Sequence, residues 1–258
     1  MRALLSLLRI IPPELAHSIA LNSLQLLYKL KLIKIFFPLK FSETSFTFKG
    51  LKFKNKLGIA AGLDKNGDFI NSLGALGFGF IEVGTITPKP QPGNPKPRVF
   101  RFTDQKAIVN RLGFNNLGAE NVRHRIRSNS HKGLLGINIG PNKDSEDRLN
   151  DYLIGFRNFY DIADYITVNI SSPNTENLRA FHDETKFDEL LNVIEKEKVK
   201  LKSKIPIVVK ISPDILEEQI ELISKILIRY KVSAIIVSNT SAKNREKLNN
   251  ILKHQKGG

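Results

Sequence analysis

The chain has 258 residues, of which 41% are hydrophobic and 25% charged, enough to bury one large core and unlike a disordered segment. It contains no cysteine, which excludes disulfides, thiolate metal sites and cysteine nucleophiles together, and no metal site is expected. The formal net charge of +15 favours anionic partners, but the lysines are scattered and carry no zinc-finger spacing or RNA-binding signature, so no nucleic-acid partner is expected.

Residues 1–40 differ from the rest. Leu4, Leu5, Leu7, Leu8 and Ile11 precede Pro12-Pro13, and a second helical pattern runs through Leu15, Ile19, Leu26, Leu27, Leu30 and Ile33. The spacing predicts a helical hairpin, edged by Arg2, Arg9, Lys29, Lys31, Lys34 and Lys40 against the single acid Glu14. Arg9 and the prolines interrupt it well before the ~20 apolar residues that span a bilayer. Such a pair either lies in a membrane interface or packs on the adjoining domain.

Residues 41–258 form the second unit. FTFKGLKFKN (46–55) alternates around Gly50 and predicts a β-hairpin. Six apolar runs then end in Gly, Asn, Ser or Thr: LGIAAG (57–62), FIEVGT (80–85), LLGINIG (134–140), YITVNIS (165–171), IPIVVKIS (205–212) and AIIVSNT (234–240). A long insertion occupies 86–130. Helical patterns fall at 187–202 and at 217–230, the latter behind a Pro213-Asp214 start signal. Continuously apolar strands alternating with helices imply a parallel sheet covered by helices, with a TIM-type (β/α) barrel leading and a doubly wound open sheet second. Only six barrel strands are visible where a closed barrel has eight, so an incomplete barrel is expected.

In such folds the chemistry sits at the carboxyl ends of the strands. There the chain places Ala61, Gly62 and Lys65, then Gly84-Thr85, Asn138, Asn169 with Ser171, Ser172 and Asn174, Lys210, and Ser238, Asn239 and Thr240, while the insertion adds Asn110 and Asn115. Singly, each asparagine or serine would serve as a helix cap or turn residue. Together, their amides match the alternating C=O and N–H edge of a pyrimidine or flavin. Lys210, set among apolar strand residues, is costly to bury without an anion to meet it.

The segments AAGLDKNG, IEVGTITPKPQPGNPKPRVFR, NRLGFNN, GINIGPNKD, VNISSPNT, VVKISPD and VSNT, in this order and spacing, resemble the quinone-linked (class 2) dihydroorotate dehydrogenases, and the likeness runs from Pro13-Glu14-Leu15-Ala16-His17 to the end of the chain. The resemblance implies a TIM barrel that binds one FMN, oxidises dihydroorotate to orotate in pyrimidine (UMP) biosynthesis and passes electrons to a membrane quinone. It assigns flavin contacts to Ala61, Gly62, Leu63, Asp64, Lys65, Thr85, Asn138, Asn169, Lys210 and Ser238, with Lys210 stabilising the reduced ring. Substrate contacts fall to Lys65, Asn110, Arg111, Leu112, Gly113, Phe114, Asn169, Asn174, Asn239 and Thr240. Ser172 is the base for the C5 proton. The related cytosolic class uses cysteine there, and this chain has none. The hairpin becomes the quinone tunnel, with His17 and Arg101 as lining candidates, at the cytoplasmic face of a bacterial-type cell membrane.

The family continues beyond Gly257-Gly258 into strands seven and eight, which carry its FMN-phosphate loop. Two expectations follow: part of a complete dehydrogenase, or a non-catalytic remnant. In either case the chain by itself is expected to hold FMN weakly.

Overall fold

The structure is a computed structural model, and it describes residues 8–38, 44–174, 178–243, 245–246 and 254–258. The start of the first predicted helix, residues 1–7, lies outside the described residues.

Helix α1 (Pro13–Lys29) begins at the Pro12-Pro13 pair, where a proline's missing N–H costs nothing, and a short α2 (Ile33–Phe36) follows it. One face of α1 buries Ala16, Leu21 and Leu24. On the opposite face Leu15, Ile19, Leu26 and Leu30 fall within about 60° of one another around the helix axis, and all four are exposed. The hairpin thus packs on the domain and also presents an outward apolar stripe. Among the described residues no helix is long and apolar enough to cross a membrane.

Strands β1 (Phe46–Phe48) and β2 (Leu51–Phe53) pair antiparallel, as the alternation around Gly50 predicts. Lys49 and Gly50 both take positive φ, 49° and 79°, the geometry of a two-residue hairpin turn whose twist matches its strands.

The six predicted barrel strands are β3 (Gly58–Ile59), β4 (Phe80–Ile86), β7 (Leu134–Ile139), β8 (Tyr165–Asn169), β9 (Ile207–Ile211) and β10 (Ala234–Val237). They form one parallel sheet in the order β10-β9-β8-β7-β4-β3. This monotonic order has no topological switch point, so it is the barrel's order and not that of a doubly wound sheet. Among the described residues β3 and β10 are free edges, and Ile235 and Val237 stand exposed on β10. The 86–130 insertion holds an antiparallel pair, β5 (Val99–Phe102) with β6 (Ala107–Asn110), and helix α4 (Ala119–Arg127) after a short α3 (Ile70–Gly74) earlier in the chain.

One helix departs from its predicted start, and a second keeps its start without the predicted signal. α6 (Glu184–Lys200) begins three residues before Phe187, because the Asp183 carboxylate caps it by accepting from Lys186 N. α7 (Glu217–Arg229) begins at the predicted Glu217, but Asp214 does not cap it: its carboxylate accepts from Ser241 Oγ and Ala242 N, while Gln219 closes the helix end on Leu216 N. These helices and α5 (Arg148–Phe159) bury Phe156, Phe159, Phe187, Leu190, Ile194, Ile223 and Ile226 against the convex face of the sheet, where Ile81, Val83, Ile137, Ile166, Val168 and Val209 are buried. Each such side chain contributes about 2–3 kcal/mol by leaving water. The alternate residues point to the concave face: apolar at the lower end with Phe80, Tyr165 and Val208, and polar higher up with Glu82, Asn138, Thr167, Asn169 and Lys210.

Candidate functional site

At the carboxyl ends of the strands lies a cavity of ≈ 350 Å³, lined by Ala61, Gly62 and Lys65 after β3, Gly84 and Thr85 of β4, Asn110, Leu112, Gly113 and Phe114 after β6, Asn169, Ser172 and Asn174 from β8, Lys210 of β9, and Ser238, Asn239 and Thr240 after β10. All sixteen were singled out by sequence, fifteen of them with an expected ligand contact or role. Gly84, placed at a strand end without a role, takes φ 126°, and a Cβ there would run into the Asn138 carbonyl.

Gly62 also takes positive φ (110°), and its N–H donates to Gly84 O at 2.8 Å. A Cβ at Gly62 would meet nothing within 4 Å, so the wall is open there. Bare backbone at Ala61–Gly62 and amides around the rim fit a flat ring with a polar edge. An isoalloxazine has that chemistry, and Ala61, Gly62, Thr85, Asn169, Lys210 and Ser238 are the residues placed to hold one.

The floor is a hydrogen-bonded ladder across the strands. Asn239 Nδ2 donates to Ser171 Oγ at 2.8 Å, and Ser171 Oγ donates to Asn169 Oδ1 at 2.6 Å. Asn169 Nδ2 donates to Thr85 Oγ1 at 2.9 Å, and Thr85 Oγ1 to Asn138 Oδ1 at 2.6 Å. Asn138 Nδ2 donates to Glu82 Oε1 at 2.8 Å. Asn138 therefore sits behind the wall, fully buried, and orients the residues that line it. Ser172 Oγ accepts from Asn174 N at 3.1 Å, an N–H that favours negative charge on that oxygen.

Two lysines bring positive charge. Burial pushes the Lys210 ammonium below its ordinary value, opposed by the charge of Glu82. Burial likewise lowers Lys65, opposed by Glu14 and assisted by Arg98, while its Nζ donates to Gly62 O at 2.7 Å. An arriving anion would offset the burial of both.

The other singled-out residues lie elsewhere. The Asp64 carboxylate is buried and accepts backbone N–H groups from Asn66 (3.3 Å), Gly67 (2.9 Å), Asp68 (3.1 Å) and Phe69 (2.7 Å), so it shapes the loop that carries Lys65. Arg111 lies over the Phe100 ring, 4.7 Å from its centroid, and donates to Pro97 O and Gln255 Oε1. Leu63, His17 and Arg101 line a second cavity of ≈ 370 Å³ beneath α1, together with Pro13, Glu14, Val99 and Ile108. Gly62, Lys65 and Leu112 line both cavities, which places the two back to back. Arg101 donates to Leu8 O (2.8 Å) and to Ile11 O, pinning the start of the hairpin; burial and the charge of Lys65 lower His17, opposed by Glu14.

A family model described as dihydroorotate dehydrogenase matches residues 44–258. The chain is 44% identical over 245 residues to "Dihydroorotate dehydrogenase (quinone)" of Acinetobacter baylyi, covering 93% of this chain and 72% of that protein. It is 47% identical over 246 residues to the protein of the same name from Buchnera aphidicola subsp. Schizaphis graminum, covering 91% and 71%. Among solved structures it is similar to Eimeria tenella DHODH in complex with ferulenol, with TM-score 0.83 and 33% identity over 95% of this chain and 71% of that one. The ligand-free Eimeria tenella DHODH gives TM-score 0.82 and 34% identity over 95% and 74%.

Proposed function

The chain belongs to the dihydroorotate dehydrogenase family, and on that premise we propose that the cavity at the strand ends oxidises dihydroorotate to orotate, a step of pyrimidine biosynthesis, with FMN as cofactor and a membrane quinone as final electron acceptor. The observation that carries the reading is the convergence of Ser172, Lys210, Lys65 and four asparagines (Asn110, Asn169, Asn174 and Asn239) on one cavity that Ala61, Gly62, Gly84 and Gly113 also line.

When bound, FMN supplies the two-electron acceptor. Ala61, Gly62, Thr85, Asn169 and Ser238 hold its ring, and Lys210 supplies positive charge on the same wall, where low dielectric makes that charge count. The amides of Asn110, Asn174 and Asn239 and the hydroxyl of Thr240 orient a pyrimidine ring by donating to its carbonyls and accepting from its N–H groups. Lys65 meets the carboxylate. Ser172 takes the proton from C5 as its own hydroxyl proton passes to a water molecule: the hydroxyl is a weak base, and the N–H of Asn174 favours the negative charge that its oxygen carries once that proton has left.

The second cavity is the quinone site in this reading. His17, Arg101, Val99 and Ile108 line it, and the shared residues Gly62, Lys65 and Leu112 leave a thin wall between it and the first. The exposed stripe of α1 would rest in the membrane interface with Lys29, Lys31 and Lys34 toward lipid headgroups, making the protein peripheral to the cytoplasmic face of the cell membrane. The test is to supply the protein with excess FMN, dihydroorotate and a short-chain quinone and to measure orotate. Orotate formed in proportion to protein supports the reading, and its absence contradicts it.

A further inference from the structure

The loop that brings Gly113 and Phe114 to the cavity turns four successive carbonyls toward the segment 91–94. Arg111 O accepts from Asn94 Nδ2 at 2.9 Å and Leu112 O from Asn94 N at 3.1 Å, while Gly113 O and Phe114 O both accept from Gln91 Nε2, at 3.0 and 3.2 Å. Phe114 O has a second donor in Asn116 Nδ2 at 2.8 Å, whereas among the described residues Gly113 O has no donor other than Gln91. Gly113 and Phe114 line the cavity, and neither Gln91 nor Asn94 does. In a trans peptide unit the N–H points opposite to the C=O, so the unit joining Gly113 to Phe114 turns its carbonyl to Gln91 and its N–H to the cavity side.

Left to itself that unit would turn over. Gly113 takes φ 71° and Phe114 φ 52°, and a left-handed backbone is strained for a residue as bulky as phenylalanine. Rotating the peptide by half a turn changes only ψ of Gly113, which has no Cβ to resist it, and φ of Phe114, which it returns to negative values. The same rotation would aim Gly113 O into the cavity in place of the Phe114 N–H. Gln91 opposes it with an amide whose direction is fixed by backbone groups at both ends. Its Oε1 accepts from Lys143 N at 3.0 Å, and from Asn142 Nδ2 at 2.9 Å, so its Nε2 must face the two carbonyls. The backbone of Gln91 is held as well: its N–H donates to Asn116 O at 3.0 Å, and Asn116 N donates to Gln91 O at 3.1 Å.

We propose that Gln91 is a positioning residue: its side-chain amide, anchored on the segment after β7, holds the Gly113–Phe114 peptide against this flip, so that the cavity meets the Phe114 N–H and not a carbonyl. Lys65 and Lys210 line the same cavity, and an N–H adds to their attraction for an anionic ligand where a carbonyl oxygen would oppose it. That the ligand is orotate or dihydroorotate rests on the reading of the cavity given above; the flip does not. Asn142 belongs to the same network, donating also to Lys89 O and Thr87 Oγ1 and accepting from Lys89 N. Among the described residues no hydrogen bond joins it directly to the 111–114 loop, and without it Gln91 Oε1 keeps its bond from Lys143 N.

The flip is read by NMR in the ligand-free protein, from cross-relaxation between the Phe114 N–H and its own Hα, which is strong at positive φ and weak at negative φ. The unaltered chain is expected to give the strong signal. Gln91→Met keeps the length of the side chain without its donor or acceptor, and is expected to give the weak one. Asn142→Ala removes as many hydrogen bonds from the network but none from the loop, and is expected to keep the strong one; a loss of stability alone would not separate the two variants in this way. Orotate affinity, measured by calorimetry, should fall about 10-fold or more in Gln91→Met and stay unchanged in Asn142→Ala. A strong Phe114 signal in Gln91→Met, a weak one in Asn142→Ala, or undiminished orotate affinity in a flipped Gln91→Met overturns the proposal. If Gln91→Met does not fold, exchange of the Gln91 Nε2 protons with solvent decides in the unaltered protein, slow exchange supporting the assignment and fast exchange overturning it. Orotate that binds none of the three proteins counts against the reading of the cavity, and the Phe114 signal then decides the proposal by itself.

Discussion

Arg98 Nη2 and Glu14 Oε1 meet at 2.9 Å across 84 residues of chain, tying the first turn of α1 to the loop before β5. The same guanidinium donates to Pro92 O at 2.6 Å and Asn94 O at 2.9 Å, so Arg98 is nearly enclosed by its partners. Burial acts to raise the Glu14 carboxyl, but the Arg98 hydrogen bond and charge, helped by Lys96 and Lys65, outweigh it and hold it below the ordinary glutamate range. A depressed folded value means that the stabilisation is whole above the unfolded-state value and disappears as pH falls through the folded one. Glu14→Gln should therefore cost about 2 kcal/mol at neutral pH by leaving a buried guanidinium without its counter-charge, and the cost should vanish in acid. Thermal unfolding of both proteins from neutral pH down through the carboxylate range checks it.

Asp64→Asn should be destabilising out of proportion to its size. With its oxygen kept toward Asn66, Gly67 and Asp68, the amide turns its Nδ2 donor against the Phe69 N–H, which Asp64 Oδ2 now accepts at 2.7 Å, and the charge that all four N–H groups meet is lost. A loss of about 2–3 kcal/mol is expected, read as a fall of ~6 °C in Tm by calorimetry. The loop also carries Lys65, so ligand affinity should fall with it.

Lys210→Met removes the charge from the cavity wall and keeps the side chain's bulk. The prediction is a loss of about 10²–10³-fold in the rate of flavin reduction by dihydroorotate, with Tm unchanged or raised because the methionine has no ammonium to desolvate. Stopped-flow absorbance with FMN in excess gives the rate, and calorimetry the stability.

The outward stripe of α1 predicts lipid binding. Leu15, Leu26 and Leu30 are each about half exposed or more, so replacing all three by Gln should leave folding intact while weakening sedimentation with anionic vesicles by roughly 100-fold. Raised salt should weaken the unaltered protein's binding too, through Lys29, Lys31 and Lys34.

The strand order was legible because a strand buried on both faces reads as an unbroken apolar run, and the polar residue ending each run marks the cavity. Less legible was whatever depended on a partner distant in sequence. Asn138 and Asn169 both end apolar runs in the sequence, yet the strand register sets Asn138 beside Thr167, two residues below Asn169, which puts one behind the wall and the other in it. Arg111 sits in a loop whose neighbours line the cavity, but the Phe100 ring draws its guanidinium away. β5 and β6 are four residues each, too short for their alternation to stand out within the insertion. Glu82 was visible as an acid inside FIEVGT, and only the three donors around it, Asn138, Tyr165 and Thr167, reveal why the strand tolerates it.

The central claim is tested most directly by anaerobic reduction of FMN, supplied in excess, with dihydroorotate as the reductant. The unaltered protein should bleach the flavin absorbance, and Ser172→Ala should bleach it at least about 10²-fold more slowly while binding orotate normally. Bleaching by Ser172→Ala at the unaltered rate, or none by either protein, would contradict the account.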